Sequence, residues 1–155
     1  MKRLRVYVDT SVFGGCFDSE FSAPSERLME DFRSGRYSLV VSDVTVAEIA
    51  MAPEPVRALF AEHAAAAEKH TVDHEVLELM RAYESRGVLA SRFRNDMLHI
   101  AIATVAEVDV LVSWNFRHIV RLDKIRQFSA VNLELGYKQL TIYSPREVAT
   151  HGRED

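Results

Sequence analysis

The sequence predicts an α/β domain with a mainly parallel central sheet and helices on both faces. Three observations carry that prediction. Short apolar runs rich in β-branched residues alternate with longer segments of helical periodicity, so the strands are joined by crossover connections. The runs are near-continuous rather than alternating, which is the pattern of strands covered on both faces. The chain has 155 residues, 48% of them hydrophobic and 27% charged, enough apolar material for a real core and a poor match to disorder or a fibre.

Arg3 to Asp9 reads as the first strand, because β-branched and aromatic residues crowd together before a turn-like Asp-Thr-Ser. Tyr37 to Val41 and Asp109 to Ser113 are two further strands, and Leu140 to Tyr143 a fourth, stopped by Pro145. Helical patterns cover Ser25 to Ser34, Val44 to Ala52, Pro55 to Lys69, His74 to Arg86 and Asn95 to Glu107. The last is the clearest, with Leu98, Ile102, Val105 and Ala106 at helical spacing and Asn95 as its expected N-cap. Residues 1–150 are expected to form one domain, and His151 to Asp155 a frayed tail.

A single cysteine, Cys16, excludes an internal disulfide and a cysteine zinc cage, and a cytoplasmic location is expected. The basic opening Met1-Lys2-Arg3 meets Asp9 too soon for an export signal. The most apolar window, Met97 to Trp114, carries His99, Glu107 and Asp109, so no membrane span or membrane partner is expected. The net charge of -4 gives no overall attraction to nucleic acid. Its distribution is uneven: Lys/Arg against Asp/Glu is 8 to 14 in residues 1–80, 8 to 5 in 81–126 and 3 to 4 beyond, or -6, +3 and -1. Gly14-Gly15 is too isolated for a phosphate loop, no Walker or dinucleotide pattern is present, and Met29, Met80 and Met97 need only be core.

Three carboxylates stand out. Asp9 ends the first strand, Glu48 lies in the helix after the second, and Asp96 opens the helix before the third. Singly, each has an ordinary reading: a turn cap at Asp9, a Thr45-x-x-Glu48 capping box, and an acid complementing the helix dipole at Asp96. Jointly, they converge on one edge of an open α/β sheet, where ligands bind. Acids held that close repel unless a cation sits among them, and all-oxygen ligation suits Mg²⁺ or Mn²⁺. Asn115 follows the third strand as a neutral oxygen donor or as the cap of a short helix, with His118 one turn on.

Val6-Tyr7-Val8-Asp9-Thr10-Ser11, Glu48, Asn95-Asp96-x-x-His99-Ile100-Ala101-x-Ala103 and Trp114-Asn115-Phe116-x-His118-Ile119 occur in an order that resembles the PIN-domain family, which includes VapC-like ribonuclease toxins. The likeness runs from about Val6 to Pro145. It implies a three-layer α/β/α PIN-like domain and a Mg²⁺- or Mn²⁺-dependent ribonuclease, the toxin of a toxin–antitoxin pair. It further implies Asp9, Glu48 and Asp96 as metal ligands, with Thr10 or Ser11 the adjacent hydroxyl. The family's fourth acidic position falls on Asn115, the residue expected to complete the catalytic set. His99 and His118 are accessory candidates; His99 reads equally as a residue packed between helices with its nitrogens satisfied.

Arg92, Phe93 and Arg94 run directly into Asp96, giving guanidiniums for phosphate and a ring for base stacking. Arg117, with Arg121, Lys124 and Arg126, forms a second bank or else a solvated helix face. The expected partners are RNA, a cognate antitoxin protein and a second copy in a homodimer. The competing function is a catalytically weak PIN-like module that binds RNA or protein. A haloacid-dehalogenase-like phosphatase fits poorly, since Ser11 stands where a second Asp is needed.

Overall fold

The computed structural model describes residues 2–150; the expected frayed tail, His151 to Asp155, lies outside the described residues. The chain runs β1 (Leu4–Val8), α1 (Thr10–Gly15), α2 (Ser22–Arg33), β2 (Tyr37–Ser42), α3 (Asp43–Ile49), α4 (Glu54–Ala64), β3 (Glu68–His70), α5 (His74–Ser85), a 3₁₀ turn (Ser91–Phe93), α6 (Arg94–Val105), β4 (Val110–Val112), α7 (Leu122–Glu134), β5 (Ile142–Tyr143) and α8 (Pro145–Thr150). The strands form one sheet in the order β3-β2-β1-β4-β5, and every neighbouring pair is parallel. The expected mainly parallel sheet is therefore parallel throughout.

Pleating explains the two-sided burial. Tyr7, Val40 and Leu111 point to one face and join Met80, Tyr83, Met97, Ile100 and Phe128 from α5, α6 and α7. Val6, Val8, Leu39, Val41, Val110 and Val112 point to the other and meet Phe13, Leu28, Met29, Phe60 and Val148 from α1, α2, α4 and α8. The result is three layers, α/β/α. Helix α6 is buried along its whole middle, Met97 to Thr104, so its apolar character is not confined to one stripe.

Local chemistry shifts several expected boundaries. Helix α4 stops at Ala64, well short of Lys69, because Glu68, Lys69 and His70 pair with Val40, Val41 and Ser42 as an edge strand. The cap of α6 is Phe93 rather than Asn95: the 3₁₀ turn delivers the chain already coiled, and Asn95 falls in the first turn. The capping box of α3 is built from Ser42 and Thr45, whose side chains exchange bonds with each other's backbone N–H at 3.4 Å, leaving Glu48 free of that task and near the helix's C-terminal end. Among the described residues no helix is long and apolar enough to cross a membrane.

Candidate active site

Parallel strands bring all their C-terminal ends to one edge, and the end of β1 is central in the strand order. Asp9 stands there, its backbone N–H bonded to Val112 of β4 at 3.3 Å. Its side chain is 5% exposed, with Oδ1 accepting from Ser11 Oγ at 2.5 Å and Oδ2 from Ser113 Oγ at 2.6 Å. Both hydroxyls also work backwards: Ser11 Oγ accepts the Trp114 N–H and Ser113 Oγ the Asn115 N–H, each at 2.9 Å. Asp9 is thus locked to the loop after β4. Burial pushes its carboxyl up; the His99 charge and the two serines oppose this, and the nearby Asp96 charge adds to it.

Glu48 reaches the same edge from the last turn of α3. Its Oε1 accepts from Thr10 Oγ1 at 2.9 Å and lies 2.6 Å from His99 Nε2. Burial alone would raise its pKa, but the bond and charge of His99, with Thr10 and Asn95, hold it below the ordinary carboxylate value. His99 is 2% exposed, and its Nδ1 lies 2.6 Å from Tyr7 Oη, which lies 2.7 Å from Ser42 Oγ. Burial disfavours the imidazolium, yet Tyr7, Glu48 and Asp9 together push its pKa up to about 10. The donors then run in one direction, Nε2–H to Glu48 and Nδ1–H to Tyr7, with the Tyr7 hydroxyl free to donate to Ser42. His99 is therefore both of the things the sequence left open, packed between elements and bonded to the site.

Asp96, in the first turn of α6, has Oδ2 2.9 Å from His118 Nδ1. Asn115 directs Oδ1 at the N–H groups of Arg117 and His118, at 3.1 and 2.9 Å, so its amide closes the turn after β4; α7 begins only at Leu122. The basic residues separate into two kinds. Arg92, Arg94 and Arg117 are exposed and form no ion pair among the described residues. Arg121 pairs with Asp123 at 2.7 Å, and Lys124 donates to the Val88 carbonyl at 2.8 Å, so that bank is partly spent on the fold. The ring of Phe93 is occupied, with Arg92 over it at 4.8 Å and His118 against it at 3.9 Å, which leaves it poorly placed for a base. Tyr7, Ser42 and Ser113 are parts of the site that the sequence reading missed. The signal for Ser113 was a hydroxyl directly after a strand registered beside the one that ends at Asp9.

A hard divalent cation fits the chemistry of the donors, since Asp9, Glu48 and Asp96 offer only oxygens and no thiolate competes. Each acid is meanwhile turned to its own internal partner, and among the described residues no three His, Cys, Asp or Glu side chains form a group that could hold a metal ion.

No family model matches the sequence, and no curated protein matches it significantly. Structure carries further. The chain is similar to VapBC2 from Rickettsia felis, solved bound to a DNA fragment from their promoter, with a TM-score of 0.58 at 12% identity over 91% of this chain and 98% of that one. It is similar to FitAcB from Neisseria gonorrhoeae at a TM-score of 0.56 and 13% identity, with the same two coverages. The chain has the PIN-domain fold. Within that PIN fold Asp9 directly follows β1, Glu48 is bonded to Thr10 beside it, and Asp96 lies in the first turn of α6.

Proposed function

We propose that the protein is a divalent-metal-dependent endoribonuclease acting as the toxin of a toxin–antitoxin pair. The observation that carries this reading is the convergence of Asp9, Glu48 and Asp96 on one edge, with Asp9 pushed up by burial and by the charge of Asp96. Those three residues would hold the ion. A divalent cation bound there supplies Lewis acidity toward a phosphoryl oxygen and lowers the pKa of a water. Ser11 and Ser113 hold Asp9 by two hydroxyl bonds, so its carboxylate does not rotate. His99 neutralises Glu48 and fixes its orientation, and His118 Nδ1, 2.9 Å from Asp96 Oδ2, fixes that of Asp96. Arg92, Arg94 and Arg117 bind the phosphates that flank the scissile bond, and Asn115 shapes the turn that presents Arg117.

The fold likeness to VapBC2 and FitAcB supports a cognate antitoxin as partner, and the homodimer expected from the resemblance belongs to the same proposal. A second reading, a PIN-like module that binds without cleaving, is favoured by the internal partners of all three acids and by the uncharged Asn115. Incubating purified protein with structured and single-stranded RNA in Mg²⁺, Mn²⁺ or EDTA separates them. The nuclease reading expects metal-dependent cleavage that Asp96→Asn abolishes; RNA binding without cleavage in any metal supports the second.

A further inference from the structure

The loop after β4 carries Trp114, Asn115, Phe116 and Arg117, and its backbone is pinned at several points. Ser11 and Ser113 bind the N–H groups of Trp114 and Asn115, the Asn115 carbonyl accepts from Ile119 at 3.1 Å and Val120 at 2.8 Å, and Trp114 Nε1 donates to Ser25 Oγ of α2 at 2.7 Å. From this rigid loop Phe116 projects with 45% of its surface exposed. The core had room for its neighbour and not for it: Trp114 is 6% exposed, stacked on Phe21 at 4.2 Å, while Phe116 only meets the Trp114 edge at 6.0 Å. A guanidinium completes the group, Arg146 of α8, lying 5.2 Å over Trp114 and 5.9 Å over Phe21. Neither Arg146 nor the adjoining Arg117 forms an ion pair among the described residues.

An exposed ring on a hydrogen-bonded turn, next in sequence to Arg117 and to the serine-bonded Asn115, with Trp114 shared between it and the guanidinium of Arg146, is the chemistry of a single-stranded nucleic-acid shelf. The ring takes a base face and the cations take the phosphates on either side. Phe93, the aromatic that the sequence singled out, already has Arg92 and His118 against its ring, whereas Phe116 meets only Trp114 among the ring contacts of the described residues. We infer that Phe116 is a base-stacking platform that seats one unpaired nucleobase of RNA beside the active edge, with Arg146 and Arg117 holding the adjacent phosphates. The inference rests on the RNA-cleaving reading for its substrate class, and it concerns binding rather than the reacting atoms.

Trp114 is the only tryptophan and reports on the shelf directly. Its fluorescence is titrated with hexauridylate and with an abasic ribose-phosphate oligomer of equal length, in EDTA so that the RNA stays intact. The variants are Phe116→Ala, Phe116→Leu, Phe116→Tyr and Arg146→Ala. The shelf predicts quenching by hexauridylate in wild type, about tenfold weaker binding in the Ala and Leu variants, and affinity within about twofold in the Tyr variant. The abasic oligomer should bind wild type about tenfold more weakly than hexauridylate does, but show no such difference in Phe116→Ala. Arg146→Ala should weaken both oligomers about equally and flatten the salt dependence. Full affinity in Phe116→Leu overturns the proposal, as does an abasic penalty of equal size in wild type and Phe116→Ala. Loss of antitoxin binding in Phe116→Ala with RNA binding intact also overturns it, in favour of a protein-docking surface. The nuclease reading fails separately: RNA uncleaved in Mg²⁺ with the Phe116 effect intact leaves the shelf standing, whereas cleavage with a silent Phe116→Ala removes the shelf alone.

Discussion

Gly15 and Gly14 are adjacent in the last turn of α1, yet the structure sets them far apart in consequence. A Cβ on Gly15 would lie 2.6 Å from Trp114 Nε1, 2.7 Å from Ser25 Oγ and 2.8 Å from Trp114 Cδ1, whereas one on Gly14 meets nothing within 4 Å. Gly15→Ala must therefore move Trp114 and break its bond to Ser25. Overpacking costs about 1–3 kcal/mol, and a buried donor left without its partner about 1–3 kcal/mol more. Replacing Gly by Ala in a helix returns at most about 1 kcal/mol, and does so in both variants. The expected result is about 3 kcal/mol of destabilisation for Gly15→Ala and about 0–1 kcal/mol of stabilisation for Gly14→Ala. In a chain of this size that separates the melting temperatures by roughly 6–12 °C or more. Thermal unfolding followed by far-UV circular dichroism measures it, and Trp114 emission should shift to the red only in Gly15→Ala. Melting temperatures within about 2 °C of each other, with unchanged emission, would refute the packing argument.

His99→Ala strips Tyr7 and Glu48 of their shared partner and should cost about 3 kcal/mol in urea unfolding; a loss under about 1 kcal/mol contradicts the buried bond network. Asn115→Ala should cost about 1 kcal/mol and Asn115→Asp almost nothing, since the carboxylate accepts the same two backbone N–H groups; equal melting of all three proteins rules out the turn cap. Glu68 is held down to about 2 chiefly by its hydrogen bond from Arg5, so its contribution is present above the usual 4.5 and lost as pH falls toward 2. The melting temperature of wild type should fall more steeply over that window than that of Glu68→Gln, and parallel slopes would show that the pair contributes nothing.

The parts of the fold legible in the sequence are those whose burial is unconditional. Val6, Tyr7 and Val8 are fully buried, and β1 was expected within a residue or so of its observed ends; the start of β2 at Tyr37 was located as closely. Edge strand β3 was not visible because Glu68, Lys69 and His70 carry no apolar signal and hold their place by pairing with β2, so the preceding helix was read through them. Helix α1 was hidden by its brevity and by Gly14 and Gly15, poor helix formers, of which Gly15 alone lies where Trp114 approaches closely. At the site, Asp9 at a strand end and Asp96 in the first turn of a helix followed from topology, because a parallel sheet sends strand ends to one edge, whereas Glu48 was read at a helix start and lies in the last turn of α3. What each acid is bonded to did not follow. Glu48 to His99 and Asp9 to Ser113 are contacts across 51 and 104 residues, and only the packing of α6 and β4 decides them.

That assignment of the acids is tested most directly by calorimetric titration of Mn²⁺ into wild type, Asp9→Asn, Glu48→Gln and Asp96→Asn, each first checked for native melting. The account predicts binding to wild type and a loss of at least tenfold in affinity for Asp9→Asn and Asp96→Asn, with Glu48→Gln also weakened. Undiminished binding in Asp9→Asn and Asp96→Asn, or no binding to wild type at millimolar Mn²⁺, would contradict it.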